Sequence, residues 1–229
     1  MQVSSVEAPI PAEQNERLNA PFGDYQGVMR GWAALNPDAP ALSDESRTLT
    51  WGQMDAAINR IAAALQRDGL ERGQAVAILG TTGIPYALVY HAAIRAGGCA
   101  APLTTSATPA QLAAMIADSG AMHLFIDAAK AQELAAHPLP PVKRVMLDTA
   151  QGDAPGLADW MAPEGTEPQP IVPAEGDPFN IIYSSGTTGT PKGIVHSHAM
   201  RWRQSAGGIK SIYGPDSRAL LSTPLYSNT

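Results

Sequence analysis

The order of apolar segments predicts an α/β fold, with a mainly parallel sheet and helices on both faces. The first observation is a series of short strand-like segments, 99–102, 123–126, 142–147 and above all 74–79, which is an unbroken apolar run from Ala75. Runs of this length without polar alternation fit strands buried on both faces. The second is what separates them: longer segments with apolar residues at spacings of three and four, as helices require. Strand, helix and strand in alternation build a parallel sheet, because parallel neighbours need a crossover connection. The third is bulk. A chain of 229 residues with 45% hydrophobic content can bury one large core or two smaller ones.

Taken in order, residues 1–23 contain Pro9 and Pro11 without a sustained period and read as a loosely attached arm. A first α/β lobe is expected over 24–148. Tyr25, Val28, Met29, Trp32 and Leu35 make a helical stripe from Asp24, and Asn36-Pro37 ends it, since a residue before proline is pushed out of the α region. Residues 39–43 and 47–50 read as a hairpin around Asp44-Glu45-Ser46. Thr50 is a fitting N-cap for a helix over 51–68 whose core stripe is Met54, Ile58, Ile61 and Leu65, with Gly69 as the stop. Helices are expected over 85–95, over 109–119 behind Thr108-Pro109, and over 128–136.

Proline, glycine and acidic residues dominate 149–176, a connection expected to run over the surface around a brief apolar patch at 157–161. From 177 to 229 a second lobe is expected to begin, with a strand at 180–183, a helix over 197–212 and a strand at 219–222. The glycine-flanked turn Gly80-Thr81-Thr82-Gly83 links a strand to a helix, as nucleotide loops do, but it lacks a third glycine at the dinucleotide spacing and any nearby lysine.

A formal net charge of −6 argues against nucleic acid or an anionic membrane as the main partner. The one cysteine, Cys99, precludes an internal disulfide; its small apolar neighbours point to inert packing. No segment approaches the ~18 apolar residues of a membrane span. The N-terminal residues carry Glu7, Glu13 and Glu16 rather than a basic-then-apolar leader, so a cytoplasmic location is expected.

The chemistry concentrates in 181–196. The short apolar run ending at Tyr183 leads into Ser184, Ser185, Gly186, Thr187, Thr188, Gly189, Thr190, Pro191 and Lys192. Glycines let the backbone approach a ligand, successive N–H groups form an anion-binding concavity, hydroxyls add donors, and lysine supplies a compact cation. Together these suit a polyphosphate. The spacing is not that of a Walker loop, since no Ser or Thr follows Lys192. His196 and His198 on one strand would share a face, but no third metal ligand is evident. Arg201, Arg203 and Lys210 on the following helix read as a solvated face.

Tyr183 to Gly193 resembles, at all eleven positions, the phosphate loop of the adenylate-forming superfamily, which includes acyl- and aryl-CoA synthetases and peptide-synthetase adenylation domains. Leu49-Thr50-Trp51-Gly52, Ala92 to Leu103, and Thr223-Pro224-Leu225-Tyr226 are similar to further segments of that family. The resemblance implies the N-terminal part of an incomplete adenylate-forming domain, inactive by itself, with later motifs and a mobile C-terminal domain still to come. It also implies self-association through apolar surface left bare by that missing part.

The implied reaction is acid–thiol ligation: ATP and Mg2+ activate a fatty or other acyl acid to an acyl-adenylate, which is passed to CoA. By the same resemblance Ser184, Ser185, Gly186, Thr187, Thr188, Gly189, Thr190 and Lys192 would hold the β- and γ-phosphates. Thr188 and Lys192 would act in catalysis, Thr188 would touch the metal, and Tyr226 would border the acyl and adenylate site. Ser227 stands where many of the CoA ligases have histidine. A peptide-synthetase adenylation domain, or a non-catalytic nucleotide-binding or interaction module, is the alternative.

Overall fold

The computed structural model describes residues 10–184, 192–212 (without the side chains of 206–212) and 217–226. Helix α1, Ala12–Asn19, opens the described chain. Over Ala12–Asn19 this corrects the expected loose arm, whose residues 1–9 lie outside the described residues. Gln14 and Leu18 are buried, so the segment is held by packing that a polar, low-period sequence does not announce. Helix α2, Tyr25–Leu35, follows, capped by Asp24, whose Oδ1 accepts the Gln26 N–H at 2.9 Å. Strands β1, Pro40–Ser43, and β2, Thr48–Thr50, form the expected antiparallel hairpin.

Helix α3, Trp51–Arg67, begins with a full capping box: the Thr50 hydroxyl accepts from the Gln53 N–H while the Gln53 side chain accepts from the Thr50 N–H. Such a cap stabilises a helix by about 1 kcal/mol. Then come β3, Ala75–Leu79; α4, Ile84–Arg95; β4, Cys99–Pro102; α5, Pro109–Ser119; β5, His123–Ile126; α6, Ala128–Leu134; and β6, Lys143–Met146. The chain continues through α7, Leu157–Trp160; β7, Pro178–Ser184; β8, Lys192–Ser197; and α8, His198–Ile212. Trp202 of α8 donates its indole N–H to the Ala20 carbonyl at 3.0 Å, which ties this late helix to the turn between α1 and α2.

One six-stranded sheet, in the order β6-β5-β3-β4-β7-β8, organises the molecule. Every pairing in it is parallel except β7 with β8. Because side chains alternate along a strand, the sheet feeds two cores. Val76, Ile78, Phe125, Val145 and Phe179 meet α3, α4 and Trp160 of α7 on one face. On the other, Ala77, Leu79, Leu124, Ile126, Ile181 and Tyr183 meet α5 and α6. The mainly parallel α/β expectation holds.

Two further elements differ from expectation. Strand β8 occupies residues read as loop and helix start. Its Ile194 and Val195 are 45% and 58% exposed, as befits an edge strand with no outer neighbour among the described residues. Residues 219–222 form no strand, and Leu220 lies 92% exposed. The proline-rich connection is pinned at its apolar patch. Trp160 packs edge-on to Phe125 at 5.2 Å and donates its indole N–H to Asp68 Oδ2 at 2.8 Å. Asp68 also takes Arg67 and Lys143. Burial raises its carboxyl, but these donors outweigh that and hold it down at about 2.

Candidate functional site

In a parallel sheet, ligands sit beyond the carboxyl ends of the strands. Two of the glycine-bearing loops that leave that edge follow directly on strands in the middle of the sheet, β3 and β7. The first, Gly80 to Gly83 after β3, is closed by its surroundings. The Thr81 N–H and hydroxyl both donate to Asp127 Oδ2, at 2.9 and 3.3 Å. Asp127 Oδ1 caps α6 through the Lys130 N–H. A side chain at Gly80 would strike Leu147 and Asp127 at 2.9 and 3.0 Å. A carboxylate already fills the place an anion would take.

The second loop leaves β7 at Ser184 and returns as β8 at Lys192. These two residues are cross-strand partners, and Tyr183 is opposite Gly193. Cross-strand partners have Cβ atoms about 5 Å apart, so the hairpin plants an exposed lysine beside an exposed serine at the loop mouth. Gly193 fits closely there: a Cβ would come within 3.0 Å of Ile181 and 3.2 Å of the Tyr183 ring. That ring fastens the strand to α5, its hydroxyl donating to Asp118 Oδ2 at 2.8 Å with the Met115 carbonyl at 3.1 Å. Burial, then Asp118, pushes the Tyr183 phenol up, so it stays a donor. Ser185, Gly186, Thr187, Thr188, Gly189 and Thr190 lie outside the described residues.

Tyr226 is half-buried and close enough to Tyr86 of α4 to raise its hydroxyl, after burial and Tyr90. Tyr86 itself is buried, with no hydrogen-bond partner for its oxygen among the described residues.

The polar centre behind the loop was not legible in the sequence. Asn180, buried in β7, accepts Arg201 Nε at 3.1 Å through Oδ1 and donates from Nδ2 to the Tyr90 oxygen at 3.2 Å. Arg201 also donates from Nη1 to Gln204 Oε1 at 3.1 Å and from Nη2 to His196 Nδ1 at 2.9 Å. It is therefore half-buried and anchored, not part of a solvated face. His196 Nδ1 lies 3.1 Å from Asn180 Oδ1 as well, so the three side chains converge on one buried corner. Burial, then Arg201, lowers the His196 pKa. His198 packs edge-on to Phe179 at 5.0 Å, and the strand–helix junction separates it from His196. Among the described residues no group of three or more His, Cys, Asp or Glu could hold a metal.

A cleft of about 400 Å³ opens on this centre, between α4, α8 and the stretch Thr223-Pro224-Leu225. Its walls include Tyr25, Tyr90, His91 and Phe179. Tyr25 stacks on His91 at 6.3 Å and meets Phe179 edge-on at 5.9 Å. Burial, then Arg95, pushes His91 down to about 4, so its ring is neutral at pH 7.

Residues 29–229 match the family described as AMP-binding enzyme. The chain belongs to that adenylate-forming family. Among its relatives, 3-hydroxybenzoate–CoA ligase of Aromatoleum sp. (strain CIB) is 33% identical over 166 residues, covering 70% of this chain and 31% of that protein. A linear gramicidin synthase of Brevibacillus parabrevis is 31% identical over 177 residues, 74% of this chain and 3% of that one. The solved fatty acyl CoA synthetase of Mycobacterium tuberculosis superposes with a TM-score of 0.63 at 26% identity, over 74% of this chain and 34% of that one. The chain thus spans about a third of the length of the two ligases. No helix among the described residues is long and apolar enough to cross a membrane.

Proposed function

We propose that this chain supplies the phosphate-binding part of an enzyme that activates a carboxylic acid with ATP and passes the acyl group to CoA. The acid's carboxylate attacks the α-phosphorus of ATP and pyrophosphate leaves; the CoA thiol then attacks the acyl carbon and AMP leaves. Displacement at phosphorus is mostly positioning and charge neutralisation. The observation that carries the reading is the β7–β8 hairpin, which fixes Lys192 opposite Ser184 at the carboxyl edge of the sheet. In this reading Lys192 and Ser184, with Ser185 to Thr190, take the β- and γ-phosphates. Thr188 bears on Mg2+, and Tyr226 borders the acyl and adenylate groups. Fatty and aryl acids are both supported by named relatives, as is a reducing cytoplasm by the single buried Cys99.

The test is carboxylate-dependent ATP–pyrophosphate exchange by the whole polypeptide that carries this chain. Lys192→Ala is expected to slow exchange about a hundredfold, the scale of losing one charged transition-state contact. Exchange within twofold of the parent would remove Lys192 from the phosphate site. A peptide-synthetase adenylation domain is the second reading, favoured by the gramicidin synthase match. Loading of a carrier-protein thiol in preference to CoA would select it. The surface connection 149–176 between the segments 24–148 and 177–229 belongs to the same proposal; because β7 pairs with β4 in one sheet, limited proteolysis within it is expected to nick the chain while the two segments stay associated.

A further inference from the structure

The cleft beside Asn180 is built unlike a channel for a plain hydrocarbon tail. Aromatic rings form its walls, and three of them hold one another: Tyr90 meets His91 edge-on at 5.5 Å and Phe179 at 6.4 Å. Against those walls stands the polar chain Arg201–Asn180–Tyr90. Its direction decides what Tyr90 can do. Asn180 Nδ2 is a donor, so the Tyr90 oxygen accepts, and the phenolic proton is directed away from Asn180. Tyr90 lines the cleft, and burial holds its phenol protonated. An oxygen acceptor on a bound molecule would meet that proton.

Leu225 and Pro224 form another wall, and the next residue is Tyr226, assigned above to the border of the acyl and adenylate groups. Asn180 lies four residues before Ser184 along β7, about 13 Å at the usual strand rise. An acid that entered the cleft with its carboxylate toward the Ser184 end of β7 would meet Tyr90 with its far end. A volume of about 400 Å³ is in the range that holds small organic ligands.

We infer that this cleft selects aryl acids bearing a hydroxyl or other oxygen at the end of the ring remote from the reacting carboxylate, with Tyr90 as the group that reads that oxygen. The inference rests on the carboxylate-activating reading only for the direction in which the acid lies. A site built to hydrogen-bond a hydroxyl discriminates strongly against the analogue lacking it, because its own polar groups are then left unpaired.

The experiment is calorimetric titration of the whole polypeptide that carries this chain, without nucleotide, with 3-(4-hydroxyphenyl)propanoate and with 3-phenylpropanoate. The hydroxylated acid is expected to bind about tenfold more tightly. In Tyr90→Phe, with an unchanged melting temperature, that preference falls below about twofold while 3-phenylpropanoate keeps its affinity. Equal affinities in the parent, a preference that survives Tyr90→Phe, or no binding of either acid overturns the inference. ATP titrated into the same samples reports on the phosphate loop separately. Binding of ATP without acid selectivity defeats this inference alone, whereas acid selectivity without ATP binding defeats the adenylating reading and leaves the cleft standing.

Discussion

Two glycine-bearing loops leave the same edge of one sheet, and the protein's own carboxylate already occupies one of them. The turn after β3 has two glycines, two threonines and a helix behind it, yet Asp127 takes the amide and hydroxyl donors of Thr81. After β7, by contrast, the antiparallel return of β8 sets an exposed lysine, Lys192, opposite Ser184 at the ends of the loop. Glycine content does not separate the two. The charge that the neighbouring strand brings to the loop mouth does, and that is a property of topology.

The widest predicted separation between the loops is functional. Lys192→Ala should lower pyrophosphate exchange about a hundredfold, whereas Thr81→Ala should leave it within twofold; equal losses would erase the distinction. Acid should act next. Asp68 lies toward the end of the sheet away from the hairpin, buried except for 8% of its side chain. Its pKa is depressed in the fold to about 2, so its contribution is present above the unfolded carboxylate range and is lost as pH falls from about 4 toward 2. The loss should be on the order of 2 kcal/mol, and Asp68→Asn should flatten that part of the pH–stability curve in chemical denaturation.

Asp127→Ala should cost about 1–2 kcal/mol through the lost cap of α6 and the unpaired Thr81 donors, without creating ATP affinity. Nucleotide binding gained by that variant would show that the carboxylate alone had kept the first loop closed. The smallest effect is expected at Gly193→Ala, about 1 kcal/mol in thermal denaturation, as the Tyr183 ring gives way to the new methyl group. An unchanged melting temperature would mean that the hairpin does not depend on this packing.

Much of the fold was legible because local chemistry and tertiary fate agree. Thr50 and Gln53 cap as their types predict, Thr108 and Gln111 do the same, and 99–102 is a strand as read. The failures share a cause. Strand β8 is half exposed and contains glycine, so it lacks the apolar density that marks buried strands. Helix α1 owes its place to two residues, Gln14 and Leu18, whose burial depends on α2 and not on their own sequence. At the site, the phosphate loop is conspicuous because its chemistry is contiguous. The Arg201–Asn180–Tyr90 chain is not: its members are 21 and 90 residues apart, and an asparagine inside an apolar strand carries no sign of what it will bond.

Helix α8 follows the candidate loop through β8, and its Trp202 is the fastening that joins it to the start of the chain. The indole lies over Gly23, where a Cβ would come within 2.6 Å of the ring, and it is 4% exposed. Any ligand that shifts α8 must also disturb this ring. With Trp32, Trp51 and Trp160 replaced by phenylalanine, the protein would hold its own optical gauge: Trp202 emission moving to the red would register helix displacement in real time, without a label.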